Sequence, residues 1–328
     1  MKLRAPEFWR RDGAASRLLS PLAALYDAAG RLRAAFVHPA RVGFPVICVG
    51  NLVAGGAGKT PIVLSLAKQL TARGVKVHIL SRGYGGRKRG PLRVDPGRHD
   101  AREVGDEPLL LANAAPCWVA ANRPAGARAA VAAGAKMILM DDGLQNPSLA
   151  KDWSLLVIDG DYGLGNGRVL PAGPLREDAA RGITRADAVV VMGEDKTSLA
   201  GSLAGKTVLR ALLAPTEPEK FAGRSFVAFA GIGHPEKFFR SAEEAGARLL
   251  SRHEFADHHP YRESELQALM VRARAAGASL LTTEKDWVRL PLEWRARIES
   301  FPVRVEWREQ AMLDQLLDDV LKRGACHG

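Results

Sequence analysis

The chain has 328 residues, 47% of them apolar and 25% charged, with 47 Lys plus Arg against 36 Asp plus Glu, a net charge of +11. That length suits one large or two ordinary domains, and the composition excludes a disordered, collagenous or disulfide-scaffold protein. The charge is segregated: residues 1–41 carry eight Lys/Arg against three Asp/Glu, residues 72–102 carry nine against two, and the rest of the chain nets −1. Two basic segments on a near-neutral protein point to an anionic partner met at defined places. Cys48, Cys117 and Cys326 form no CxxC pair, so no zinc or redox motif is signalled, and the odd count fits a reducing compartment. No run of eighteen apolar residues occurs and the N-terminus lacks a signal-peptide h-region, so a cytoplasmic chain is expected.

Along the chain, Leu18, Leu22, Leu25, Ala29, Leu32 and Phe36 recur in steps of four and three, which places them on one helical face. Arg17, Arg31 and Arg33 flank the stripe, and Phe8, Trp9, Arg10 and Arg11 precede it. Two readings stand: a basic amphipathic helix lying in a membrane interface, or an ordinary helix packing on the core. Pro21 is placed as a first-turn proline or a kink.

From residue 45 short β-rich runs alternate with helical segments. VICVG (46–50), VKVHIL (75–80), CWVAA (117–121), KMILM (136–140), LLVID (155–159) and AVVVM (188–192) read as strands. Helices are expected over 59–73, 105–115 and 123–134. The strands are almost wholly apolar, as when both sheet faces are covered. The alternation predicts an α/β fold with a doubly wound, mostly parallel sheet. Residues 159–178, rich in Gly and Pro, break the rhythm as a long loop. After about 214 a smaller α/β unit is expected: strands at SFVAFAGIG, ARLLSR and SLLTT, and helices near 235–245 and 263–276. The Pro-containing stretch 211–218 is a soft boundary, giving units 1–214 and 215–328.

The strongest motif is Gly50-Asn-Leu-Val-Ala-Gly-Gly-Ala-Gly-Lys-Thr60, between a strand and a helix. Backbone N–H groups of Gly55, Gly56, Ala57 and Gly58 can wrap phosphate oxygens, Lys59 can reach the β/γ phosphates, and Thr60 can place its hydroxyl on Mg²⁺. Val53 stands where the usual pattern has Gly, and the loop resembles a GGxGKT variant of the P-loop NTPase fold. Asp141 and Asp142 follow the KMILM strand, where a carboxylate can hold Mg²⁺ directly or through water. ATP and Mg²⁺ are the expected cofactors.

Further strings occur in order: Ser81-Arg-Gly-Tyr-Gly-Gly86, Val104-Gly-Asp-Glu-Pro108, Asp141-Asp-Gly-Leu-Gln-Asn146, Leu170-Pro-Ala-Gly-Pro-Leu-Arg-Glu177, Phe255-Ala-Asp-His258 with Tyr261, and Thr282-Thr-Glu-Lys-Asp-Trp287. With the Gly-Lys-Thr loop they make the chain resemble the tetraacyldisaccharide 4′-kinase family, the lipid A 4′-kinases, from the N-terminal segment to about residue 290. The resemblance implies transfer of the γ-phosphate of ATP to the 4′-hydroxyl of a tetraacyl disaccharide 1-phosphate, giving lipid IVA. It also implies a peripheral enzyme on the cytoplasmic face of the inner membrane, meeting its lipid substrate near the N-terminal basic helix. A sugar hydroxyl needs a base near the γ-phosphate. The resemblance assigns that role to Asp106, with His258 as its helper and Asp257 beside it. Sequence alone equally allows Asp106 as a helix cap and His258 as a surface-loop residue. Glu107 and Gln145 are further candidates beside Thr60, Asp141 and Asp142 for the metal, and Arg82, Asn122, Arg176 and Glu177 are candidates for the substrate. Arg176 can clamp phosphate bidentately or pair at a helix start. Gln145 can orient a metal-bound water or sit in a solvent-facing turn. Arg82, Arg87, Lys88 and Arg89 can meet the acceptor's 1-phosphate or form a solvated basic loop. Thr283, Glu284, Lys285 and Asp286 recur in the family without a derived role, and TEKD is not the guanine-reading NKxD pattern.

Two rivals remain. A membrane-associated P-loop ATPase switch would use the same loop and helix. A nucleic-acid-binding ATPase would use the basic windows, but aromatics are only 6% and no RNA or DNA module is recognisable. A monomer that binds no nucleic acid is expected.

Overall fold

The computed structural model describes residues 6–325; Cys326 lies outside them. The strands are β1 (Val46–Gly50), β2 (Val77–Ser81), β3 (Leu92–Arg93), β4 (Cys117–Val119), β5 (Met137–Asp141), β6 (Trp153–Asp159), β7 (Ala188–Met192), β8 (Thr207–Pro215), β9 (Ser225–Ala230), β10 (Arg248–Glu254), β11 (Ser279–Thr283), β12 (Glu299–Phe301) and β13 (Val303–Trp307). They form a nine-stranded sheet in the order β13-β8-β7-β6-β1-β5-β2-β4-β3 and a four-stranded sheet in the order β10-β9-β11-β12. Pairing is parallel from β8 through β4, and the two edge strands β13 and β3 are antiparallel. All of β1, β2, β5 and β7 is buried, because helices cover both sheet faces. The doubly wound, mostly parallel α/β architecture read from the sequence is the one observed.

The helix Lys59–Ala72 covers one face. Its Ile62, Val63, Leu66, Ala67 and Leu70 fall on one side at helical spacing, and all five are fully buried against β1, β2 and β5. The chain after Pro302 returns to the large sheet. β13 pairs with β8, and Leu313, Leu317 and Val320 of the C-terminal helix enter the same core cluster. The expected boundary near 214 did not anticipate this return. The stretch 211–218 is also not a plain linker: residues up to Pro215 are the end of β8. Its proline sits at the strand terminus, where a missing N–H is tolerated.

The N-terminal segment folds as helices Ala14–Leu18 and Ser20–Ala35, with Pro21 in the first turn of the second. The stripe does not pack on the core. Leu18 is 81% exposed, Leu25 67%, Leu32 61% and Phe36 77%; Leu22 and Ala29 are exposed as well. The helix is instead held by Ala23 and its polar side. Asp27 takes an ion pair from Arg181 and the Asp178 N–H, and Arg168 donates to Asp12 at 2.8 Å and Ser20 at 2.6 Å. Among the described residues no helix is long and apolar enough to cross a membrane.

Candidate active site

The Gly-Lys-Thr loop leaves the C-terminal end of β1, and the helix after it starts at Lys59 with Gly58 as its cap. Gly58 has φ +78°, and a Cβ there would lie 3.3 Å from Met192. Asn51 braces the loop from inside: its Nδ2 donates to Val53 O at 2.7 Å, and its Oδ1 accepts from Lys59 Nζ at 3.0 Å. The Leu170–Glu177 string clasps the loop from outside, with Ala54 N donating to Pro174 O and Arg176 N to Leu52 O. Val53, the departure from the usual pattern, bridges to Leu175 in that clasp.

β5 lies between β1 and β2, so Asp141 emerges beside the loop. Its Oδ2 accepts from Ser81 at 3.1 Å, and its backbone oxygen accepts from the buried Arg123. Its Oδ1 is buried with no hydrogen-bond partner. Burial, then the charges of Glu107 and Asp142, push the Asp141 carboxyl up to about 7. Asp142 (φ +52°) is already engaged: Arg176 Nη1 donates to both its oxygens at 2.9 and 3.0 Å, and Lys59 lies 3.6 Å away. Burial raises the Asp142 carboxyl, but Lys59 and Arg176 outweigh it and hold it below its ordinary value. Gln145 donates to Asn51 O at 3.0 Å and Glu177 Oε1 at 2.9 Å, and Glu177 is also claimed by Arg185. Gln145 is therefore not in a solvent-facing turn.

No group of three or more His, Cys, Asp or Glu able to hold a metal exists among the described residues. Mg²⁺ bound with a nucleotide takes one or two protein oxygens and fills its shell with phosphates and water. The unpartnered Asp141 Oδ1 is the oxygen such an ion would neutralise. Asp142, Glu107 and Gln145 are each tied to other side chains.

The second half of the site joins the two sheets. Asp106 opens the helix Asp106–Leu111, but its carboxylate is no cap: Oδ1 accepts only from the adjacent Glu107 N–H. Oδ2 meets His258 Nδ1 at 2.8 Å and Arg289 Nε at 2.6 Å. Burial works to raise the Asp106 carboxyl, yet the His258 hydrogen bond and the Lys285 and Arg289 charges overcome it and hold it well below the ordinary carboxylate range. His258 is no loose surface residue. Its backbone is left-handed at φ +59°, and its N–H donates to Gly231 O. Lys285 bridges Glu107 at 3.2 Å and lies 3.5 Å from His258 Nε2, while Asp257 is 3.8 Å from that nitrogen and half-exposed. Packed on this turn is the SRGYGG loop: a Cβ on Gly86 would meet Val104 C at 2.6 Å. Arg82 is exposed, and Asn122 caps the helix Arg123–Ala132 by accepting from Ala125 N. Ser81, Arg123, Lys285 and Arg289 were not among the expected site residues. The signal for Ser81 is its place at the head of the SRGYGG string; it ends β2, which neighbours β5.

Among the described residues two buried side-chain polar atoms lack a hydrogen-bond partner, Asp141 Oδ1 and Arg289 Nη2. They fall in the two halves of this one site. Buried groups left so are uncommon, and Arg289 Nη2 still lies 2.5 Å from Asp106 Oδ2.

Residues 15–322 match the family model of tetraacyldisaccharide-1-P 4′-kinase. A Rhodospirillum centenum protein named tetraacyldisaccharide 4′-kinase is 53% identical, covering 99% of both chains. The Rhodospirillum rubrum protein of that name is 51% identical over 97% of this chain and 98% of its own. The structure of "apo" form LpxK from Aquifex aeolicus in complex with ATP superposes with a TM-score of 0.73 at 27% identity, covering 93% of this chain and 99% of that one. The loop, the acidic strand end and the carboxylate–imidazole pair thus occur in a chain matched along nearly its whole length, and it belongs to the tetraacyldisaccharide 4′-kinase family.

Proposed function

We propose that the protein transfers the γ-phosphate of ATP to the 4′-hydroxyl of a tetraacyl disaccharide 1-phosphate, giving lipid IVA. The observation that carries this reading is the Asp106–His258 pair beside the Gly-Lys-Thr loop. A hydroxyl acceptor needs a proton acceptor at that place, and Glu107, the next residue, is close enough to act on Asp141. A nucleotide switch needs no such pair, and no relative named above is a switch.

Each residue has a derivable part. The loop N–H groups, Lys59 and Thr60 bind and neutralise the β- and γ-phosphates. Asn51 and Asp142 hold Lys59 in the loop until phosphate competes for it. Asp141 and Thr60 would hold Mg²⁺, which when bound offsets charge on the phosphates. Asp106 takes the proton of the attacking hydroxyl, and His258 keeps its carboxylate turned to the site. Arg176, which donates to both Asp142 oxygens in the nucleotide-free structure, pairs with a phosphate oxygen when nucleotide binds.

Membrane association at the cytoplasmic face belongs to the same proposal. What supports it is the outward apolar stripe of Ser20–Ala35 with basic residues along it. The N-terminal segment is tied to the loop after β6, through Trp9 Nε1 to Pro171 O. The basic loop 82–90 follows β2. Both lie past the C-terminal ends of parallel strands three places apart, roughly 15 Å. Both therefore lie at the same end of the large sheet's central strands, the end where the Gly-Lys-Thr loop leaves β1.

Purified protein with labelled ATP, Mg²⁺ and tetraacyl disaccharide 1-phosphate in mixed micelles is expected to give a 4′-phosphorylated lipid. ATP hydrolysis without lipid product in every detergent would sink the reading. Replacing Leu22, Leu25 and Leu32 by Ser is expected to weaken liposome binding, with undiminished binding removing the helix from the proposal.

A further inference from the structure

The Thr282–Trp287 string has a structural role that none of the steps above uses. Thr283 caps the short helix Glu284–Trp287 by accepting from Asp286 N, and its hydroxyl donates to Asp286 Oδ2 at 2.6 Å. Asp286 is fully buried. Its Oδ1 accepts from Gly231 N at 3.0 Å, Tyr261 OH at 2.7 Å and Arg289 Nη1 at 2.8 Å. Arg289 Nη1 also donates to Gly231 O at 2.7 Å. One side of the guanidinium is thus fixed within the small unit.

Its other side crosses to the large unit. Arg289 Nε donates to Asp106 Oδ2 at 2.6 Å, and Nη2 approaches the same oxygen at 2.5 Å without hydrogen-bond alignment. The Arg289 side chain is 5% exposed and that of Asp106 4%. Asp106 needs such a partner. It follows Gly105 (φ +89°) and has only one local hydrogen bond, to the next N–H, so its own helix does not fix the direction of Oδ2. A planar guanidinium with its bonds assigned on both sides sets that direction in a way a flexible ammonium does not.

We propose that Arg289, mounted on Asp286, is a positioning residue that orients the Asp106 carboxylate for proton abstraction. The segment Thr283–Arg289 is its mount, which links the aim of the base to the seating of the small unit. The inference rests on the reading of Asp106 as proton acceptor.

The test is steady-state kinetics of the full chain in mixed micelles, with ATP binding and thermal melting followed in parallel. Arg289→Met is expected to lower kcat about 100-fold while both KM values stay within about twofold, and Arg289→Lys to recover part of the loss. Added to Asp106→Asn, Arg289→Met should slow the enzyme by less than about twofold further, because it acts through the carboxylate already removed. If Arg289→Met does not fold, Asp286→Asn loosens the mount and is expected to give a smaller loss in kcat alone. Unchanged kcat, losses that multiply with those of Asp106→Asn, or an equal fall in ATP affinity would overturn the inference. An active Asp106→Asn would instead remove the reading of Asp106 itself.

Discussion

Lys59 meets Asn51 across eight residues of one loop, whereas Asp106 meets His258 across 152 residues and Arg289 across 183. The nucleotide half of the site is a local structure. It is braced by its own backbone, clasped by one neighbouring string, and complete within the large unit. The acceptor half is assembled from both sheets, and its central carboxylate takes two of its three partners from the small one. The bonds that brace the loop therefore lie within the large unit, while on the proposed reading the Asp106 carboxylate is aimed by partners that the small unit supplies.

The largest expected effect falls on the local half. Lys59→Ala should lower kcat about 1000-fold, by removing charge complementary to the transferring phosphate. Wild-type kinetics would refute the loop assignment. On the assembled half, Asp106→Asn should lower kcat by about 100-fold or more with ATP affinity retained. A parallel loss of ATP affinity would erase the division between the halves. Asp106 also gives an acid signature. Its folded-state pKa lies below the unfolded one, so the folded protein binds fewer protons. The stability it contributes is whole above the ordinary carboxylate pKa near 4 and declines as pH falls below it. Wild type should lose stability more steeply than Asp106→Asn over that acid range, as read by denaturant melts.

Asp141 predicts the opposite sign. Its pKa is raised to about 7, so the folded nucleotide-free protein binds the extra proton and loses stability as pH rises from about 4 to 7. Asp141→Asn should flatten that slope and raise the melting temperature above pH 7 while lowering activity. A steeper slope would reject the buried repulsion. The smallest effect belongs to a second contact between the units, where Lys237 of the helix Pro235–Glu244 pairs with Asp159 at 2.9 Å and Asp161 at 2.8 Å. These groups are partly exposed, so Asp161→Asn should cost under about 1 kcal/mol. It should spare kcat, and a large fall in kcat would make this contact part of aiming the base.

The same contrast explains what was legible in the sequence. The Gly-Lys-Thr loop could be read because its ligands, its strand and its helix are contiguous. Ser81 stands in a recognised string, but its bond to Asp141 and that of Arg123 could not be read, because nothing in the sequence says that β2 and β5 are neighbours or that the helix after β4 reaches the end of β5. Asp106 and His258 were reached through family resemblance, and each alone looked like a cap or a loop residue. Arg289 lay past the last recognised string. The return of β13 to the large sheet was missed because edge pairing leaves only a half-buried five-residue run to see. The N-terminal stripe was visible as a helical face, but periodicity does not say what a face meets.

That stripe is fastened inside out, with ion pairs toward the protein and Leu22, Leu25 and Leu32 toward solvent. On the proposed bilayer seat, enzyme and acceptor would share a plane while ATP arrives from the third dimension. Turnover would then follow the mole fraction of lipid substrate in the surface. Adding inert detergent at constant total substrate would slow the reaction by dilution within the surface, with every catalytic residue unchanged.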